Sequence, residues 1–328
     1  MSKVECIALR SKSGFSVQVL SLGGIITEIM AKDRHGVREN VVLKYENFED
    51  YLTNPVFLGC FIGPVAGRTK DGKMSIDDQV LALDVSDHPN ALHSCKHGLH
   101  NVNWNIKSRA IDQVVLTYDS KPLNALEGSL NYQLSYTVSE ETLSIDYAVK
   151  SSTKTYLSLT NHSYFNLTGK PDQSILSHEL GIHCSHIASL DQDSLPVALL
   201  PIDALRYDFK AANSIGSIID SIPEVFLSTL GIDHPFKCDG SDPVAYLHDP
   251  QSGRVMHVAT TQPYVILYSG NFLHTGISTS GKQFNQYSGV CFETQDLPNV
   301  VNSKLDTVQF VTPESPYSHR TTFAFSTI

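Results

Sequence analysis

Leu130-Asn131-Tyr132-Gln133-Leu134-Ser135-Tyr136-Thr137-Val138-Ser139-Glu140-Glu141-Thr142-Leu143-Ser144-Ile145-Asp146-Tyr147-Ala148-Val149 alternates apolar and polar side chains on either side of an acidic pair. Leu130, Tyr132, Leu134, Tyr136 and Val138 fall on one face of an extended chain, and Leu143, Ile145, Tyr147 and Val149 do the same after the Glu140-Glu141 turn. A period of two broken by a short polar turn is the pattern of two antiparallel strands half buried against a core. Val255 to Tyr268, Val290 to Thr294 and Thr321 to Phe325 continue in the same style. Phe15 to Met30 predicts two short strands meeting at Gly23-Gly24, and Met74 to Leu83 a hairpin with an aspartate-rich turn. Asn47 to Leu52 reads as a single helical turn, and Pro196 to Ser221, rich in turns and poorly patterned, as loops decorating a rim. No sustained 3.6-residue period, heptad, internal repeat or low-complexity linker breaks the series. The expectation is an all-β protein with few short helices, a large antiparallel β-sandwich forming a single domain over residues 1–328.

Composition narrows the function classes. The 328 residues are 41% hydrophobic, enough for a large core, and the formal net charge of -10 disfavours nucleic acid and anionic membrane surfaces as partners. No apolar run approaches the roughly 20 residues of a bilayer-spanning helix. Met1-Ser2-Lys3-Val4-Glu5-Cys6 lacks the basic start and apolar core of a secretory signal, so a cytoplasmic location is expected. Six cysteines (Cys6, Cys60, Cys95, Cys184, Cys238, Cys291) are scattered without a paired spacing, which suggests buried thiols rather than disulfides or a zinc site.

Five polar positions stand out. Tyr156 to His162 reads as one strand running into a turn, with Leu157 and Leu159 on one face and Ser158, Thr160 and His162 on the polar one. A histidine there is placed to meet a ligand and titrates near neutrality. Arg68 closes the glycine-rich stretch Phe61 to Gly67, where its guanidinium suits a ligand oxygen, a carboxylate or a surface ion pair. His93, His97 and His100, with Cys95 among them, invite a metal reading, but their spacing matches no zinc motif and a single histidine positioned for a hydroxyl fits better. His183, Cys184 and His186 form a weaker cluster read as structural. Asp233 follows Leu230-Gly231-Ile232 in what reads as a turn, where an aspartate commonly bonds its own backbone. Glu293 sits inside the apolar run Gly289 to Phe292, sharing a face with Cys291. Burial there demands partners or raises its pKa towards use as a base.

Taken together, these blocks resemble the aldose 1-epimerase family. Asn161-His162-Ser163-Tyr164-Phe165-Asn166-Leu167 is similar to that family's Asn-His-Thr-Tyr-Phe-Asn-Leu motif, and Asn90-Ala91-Leu92-His93, with Gly98 and Trp104 following, to its Leu-His-Gly-Gly loop. Gly231-Ile232-Asp233-His234, Tyr268-Ser269-Gly270-Asn271-Phe272 and Phe292-Glu293-Thr294-Gln295 match the remaining blocks in order, so the likeness runs from about Gly14 to the end. The resemblance implies a β-supersandwich with a polar cleft for a free monosaccharide or small oligosaccharide, in a monomer or homodimer. It implies Glu293 as general base, His162 as general acid, and Arg68, His93 and Asp233 as residues holding sugar hydroxyls. The chemistry suits these groups. Anomer exchange needs a base for the C1 hydroxyl proton and an acid for the ring oxygen, and no metal, nucleotide or other cofactor. Gly67 stands where the family usually has Asn, Ser94 and Cys95 where it has Gly-Gly, and Ile266 where a Gln is expected. These departures predict extra bulk in a loop near the sugar and an altered sugar preference. A non-catalytic sugar-binding sandwich and a sugar-phosphate epimerase on the same scaffold are the alternative readings. A glycoside hydrolase would require Asp233 as its second carboxylate.

Overall fold

The structure, a computed structural model, describes residues 3–120, 128–205, 209–221, 225, 228–240, 242–275 and 284–328. Leu130–Ser139 and Thr142–Ser151 pair antiparallel with Leu134 opposite Tyr147 and Tyr136 opposite Ile145, and Glu140 takes the left-handed turn position with φ 49°. This hairpin lies within a nine-stranded antiparallel sheet. Its strand order is Asn105–Arg109, Gln113–Ser120, Leu130–Ser139, Thr142–Ser151, Tyr317–Thr327, Arg254–Thr260, Ala245–His248, Glu179–Ile182 and Asn213–Ser214. A second sheet of six strands runs Tyr164–Phe165, Val290–Gln295, Tyr264–Tyr268, Asp233–Cys238, Cys184–Leu190, Pro196–Pro201. The inner faces of the two sheets share one core. Phe165 from the second sheet packs on Phe323 from the first with ring centroids 4.9 Å apart, and the Phe292 ring lies edge-on to Phe165 at 6.2 Å. A four-stranded antiparallel sheet from the N-terminal residues, Cys6–Arg10 to Arg38–Asn40, packs into the same core through Leu9, Val17 and Ile29. The all-β sandwich expected from the alternation is the architecture found. Among the described residues no helix is long and apolar enough to cross a membrane.

Three local readings need correction. Tyr156 to His162 is not one strand. Thr155–Tyr156 pairs with Phe310–Val311, Thr160–Asn161 with Phe61–Ile62, and Tyr164–Phe165 with the strand Val290–Gln295. Every residue from Thr155 to Thr168 is buried, so this segment has no solvent face. Its backbone donors and acceptors must all be met by protein, and three short ladders on different neighbours meet them. Val290–Gln295 is likewise buried on both faces rather than half buried. Its Val290 and Phe292 side enters the sandwich core, while Cys291 on the other side joins a second apolar cluster with Leu43, Tyr51, Ile62 and Tyr164. Finally, Pro196 to Ser221 is more than rim loops. Pro196–Pro201 is the edge strand of the six-stranded sheet, and the short helix Ile215–Ser221 buries Ile215 and Ile218 in the main core. Positions 206–208 of that stretch lie outside the described residues.

One buried cation ties the sheets together behind the site. Arg254 is fully buried and uses all five guanidinium N–H groups. They donate to the carbonyls of Ala31, Val37, Leu167 and Thr168 and, at 2.8 Å, to the Glu39 carboxylate. Leu167 and Thr168 end the buried segment that carries His162. Arg254→Met keeps the volume but removes all five hydrogen bonds and leaves the Glu39 carboxylate without its partner, so it is expected to cost about 3–5 kcal/mol, read as a lowered urea midpoint.

Candidate functional site

Glu293 and His162 come together from different segments. Register sets Glu293 opposite Ile266, while Tyr268 lies opposite both Asp233 and Cys291. His162 follows the Thr160–Asn161 ladder, and its backbone N–H donates to the Cys60 carbonyl (2.8 Å) while its own carbonyl accepts from the Gly59 N–H (3.0 Å). Only glycine fits at 59: φ is 71°, and a Cβ would lie 2.2 Å from the Ile26 carbonyl oxygen. This close approach brings the loop onto the histidine. His162 Nε2 lies 3.5 Å from Glu293 Oε1, with both side chains nearly inaccessible to solvent.

Burial decides the protonation of this pair. It pushes the Glu293 carboxyl up to about 8, with Asp233 adding to the rise and Arg68 opposing it. It pulls His162 down to about 4, partly offset by a backbone hydrogen bond and reinforced by His100. Removing both groups from water disfavours each charged form, so near neutrality the empty pair holds one proton, on the carboxyl. On the far side of the imidazole, His162 Nδ1 meets Cys291 Sγ at 3.5 Å. Burial holds the Cys291 thiol well above its usual range, so it stays S–H, a weak acceptor as well as a weak donor. With the carboxyl protonated, the Nε2 facing it is the acceptor, and the ring proton of neutral His162 is on Nδ1, towards Cys291.

His93 is fixed in the opposite tautomer. The Gly67 N–H donates to its Nδ1 at 3.1 Å, leaving Nε2–H for the cleft. His93, Ser94 and Cys95 all have left-handed φ, between 53° and 59°, a run of backbone strain whose last two positions are where the resemblance leads one to expect glycines. Their side chains do not crowd the cleft as the sequence suggests. Ser94 Oγ accepts from the Val65 N–H at 2.8 Å and donates to the Val65 carbonyl at 3.1 Å, and Cys95 is directed to Ser86 and the Asp84 carbonyl. Gly67 and Ile266 do line the cleft.

Arg68 donates through Nε to Asp87 Oδ2 at 2.7 Å, and its Nη1 lies 3.9 Å from Asp233 Oδ2. Asp233 opens the strand Asp233–Cys238 rather than sitting in a turn. Burial holds its carboxyl above the usual range, with Arg68 opposing the rise. All five expected site residues therefore border one cleft of about 360 Å³, within the usual range for small-molecule sites. Sequence reasoning missed Phe57 and Tyr268, whose rings lie 6.0 and 6.5 Å from that of His162, as well as Asp87, Cys291 and Gln295. For Gln295 the signal was present, since strand alternation puts it on the same face as Glu293.

The ligand atoms of His93, His162 and Glu293 lie within 4.8 Å of one another, close enough to suggest a cation. The His93 tautomer opposes it: ligation through Nε2 would move the proton to Nδ1, against the Gly67 N–H. The sequence cluster does not converge either, because His97 turns to Asp84 and Cys95 to Ser86. What the cleft presents is a set of hydrogen-bond donors and acceptors sized for a polyhydroxylated molecule. Replacing the thiol tests the tautomer. Cys291→Ala is expected to shift neutral His162 towards Nε2–H about fivefold, read from imidazole nitrogen shifts by NMR.

A family model described as Aldose 1-epimerase matches residues 5–324. Galactose mutarotase from Rattus norvegicus is 32% identical over 98% of this chain and 94% of its own length. Aldose 1-epimerase from Streptococcus thermophilus is 27% identical over 92% of this chain and 88% of its own. Among solved structures, an aldose epimerase homologue from C. elegans superposes with a TM-score of 0.90 at 20% identity, over 99% of this chain and all of that one. Galactose 1-epimerase from Lactobacillus acidophilus gives 0.85 at 24% identity, over 99% of each chain. With the family model spanning nearly its whole length, this chain belongs to the aldose 1-epimerase family.

Proposed function

We propose that this protein interconverts the α and β anomers of a free aldose, with Glu293 as base at the C1 hydroxyl and His162 as acid at the ring oxygen. The observation that carries this reading is a carboxyl and an imidazole 3.5 Å apart at the buried floor of a sugar-sized cleft, sharing one proton. The C1 hydroxyl, as a donor, favours the carboxylate form of Glu293, and the ring oxygen, as an acceptor, favours the protonated form of His162. Sugar entering between them therefore draws the proton from carboxyl to imidazole. Glu293 then removes the C1 hydroxyl proton while His162 protonates the ring oxygen, and the bond from C1 to that oxygen breaks. The aldehyde turns about C1–C2 and the ring recloses with the two roles exchanged, returning both groups to their starting state. Arg68, His93 and Asp233 hold ring hydroxyls meanwhile.

A sugar-phosphate substrate fits less well. Among the described residues lining the cleft the cation is Arg68, already engaged by Asp87 and Asp233. Glycoside hydrolysis fits poorly for the same reason, because Asp233 lies beside that arginine rather than free to act as a second catalytic carboxyl.

Polarimetry of freshly dissolved α-glucose and α-galactose tests the proposal. kcat/KM is expected to be bell-shaped in pH, with limbs near 4 and 8 belonging to the pair. Above the upper limb the shared proton is lost and no acid remains; below the lower, a second proton arrives and no base remains. Glu293→Gln is expected to lower kcat by at least about 10²-fold. The same substitution should raise Tm more at pH 9 than at pH 5, because the folded-state pKa is raised and stability is lost as pH climbs through it. No acceleration with any aldose would reject the activity.

Ile266, directly across the ladder from Glu293, gives the cleft an apolar wall beside the reacting carbon. Ile266→Gln offers that region a hydrogen-bonding amide and should improve kcat/KM about threefold to tenfold for hydroxyl-bearing aldoses, measured against a 2-deoxy aldose as the unaffected control.

A further inference from the structure

We infer that Gln295 is a specificity-determining residue, its side-chain oxygen accepting a hydrogen bond from a sugar hydroxyl on the far side of the ring from C1. The inference deepens the proposed anomer exchange and rests on it. Gln295 is fully buried yet borders the cleft, on the same strand face as Glu293. Its Nε2 donates to the Asp296 carbonyl at 3.2 Å. A carbonyl can only accept, so the amide nitrogen must be the end that faces it, and this fixes Oε1 as the remaining end. Oε1 finds no donor among the described residues. A buried acceptor without a donor is costly, and one at a binding cleft is met when a ligand brings the missing donor.

Gly67 keeps this corner free of a side chain. A Cβ at that position would stand 3.2 Å from Gln295 Nε2 and 2.9 Å from Pro298, so any side chain there would press on the amide and narrow the space beside it. Two residues along an extended strand span roughly 7 Å, about the breadth of a pyranose. With C1 at Glu293, the group within reach of Gln295 is a hydroxyl across the ring. The ligand class is thus an aldose carrying that hydroxyl, and an aldose lacking it leaves the amide oxygen unmet.

Gln295→Met preserves length and removes the acceptor. Anomer exchange by NMR is to be compared for wild type and variant on glucose, galactose and their 3-deoxy and 4-deoxy analogues. The expected result is a KM raised about tenfold with kcat within about threefold for the parent sugars, and no difference between the two proteins on the analogue lacking the matched hydroxyl. Equal KM values on every sugar, or a loss of the same proportion on all of them, would overturn the inference. Failure of wild type to exchange any aldose would instead strike at the proposed function. If the variant does not fold, crystals of the wild-type protein soaked with glucose decide. A ring hydroxyl on Gln295 Oε1 supports the inference, and a sugar bound elsewhere in the cleft with only water on that oxygen refutes it.

Discussion

A carboxyl and an imidazole excluded from water, with one proton between them, set the terms for everything around them. Charging either group inside the protein is costly unless an opposite charge is near. The nearest cation, Arg68, is engaged by Asp87 and approaches Asp233, so its charge is largely offset before it reaches Glu293. Asp233 in turn raises Glu293 further. The surroundings favour the neutral pair over the ion pair and leave the proton on the carboxyl. In the proposed reaction the sugar's own donor and acceptor are what tip that proton across to the imidazole.

Such a pair can be kept dry only by two layers of protein. The sandwich core covers one side of Val290–Gln295, and the second apolar cluster built around Tyr51, Tyr164 and Leu43 covers the other. His162 then has to be delivered from a segment with no exposed face. The chain does this with three two-residue ladders, the glycine-dependent approach at Gly59, and Arg254 gripping the carbonyls at the segment's end. None of these contacts is made by the imidazole itself. Each removes freedom from the histidine, so that its ring is held against Cys291 and Glu293 by backbone rather than by its own short side chain.

The sequence made the sheets legible because period two reports which face a residue takes, and the hairpin Leu130–Ser139 with Thr142–Ser151 is found with the expected alternation and turn. The same logic placed Glu293 on the face opposite Phe292. Periodicity says nothing about partners, however. It reads Tyr156 to His162 as one strand because the spacing is right, and misses that the ladder changes neighbour every few residues. It also reads Pro196–Pro201 as a loop, since an edge strand with prolines at both ends looks like punctuation in isolation. Ser94 and Cys95 were misplaced for another reason. Side-chain direction there depends on left-handed φ at three successive residues, which turns both away from the cleft. Cys291 lay in plain sight beside Glu293, but its value to the site comes from His162, 129 positions away in the chain.

In the proposed reading, recognition and chemistry occupy different parts of the same cleft, so the pattern can change at one without the other. Glu293 lies in a strand held on one side by the pairing of Val290 and Cys291 with Phe165 and Tyr164, and on the other by a ladder in which Glu293 itself pairs with Ile266. Gly67 and Ile266 meet the cleft with side chains that carry no such obligation: one has none, and the other contributes an apolar wall. Apolar residues at those two points offer a sugar no hydrogen bond and leave the proton on the Glu293 and His162 pair where it is. Gln295, on the strand that carries Glu293, remains a polar group whose acceptor is still open. Preference for a given sugar can therefore shift along the cleft wall while the floor, held by buried backbone ladders, stays as it is.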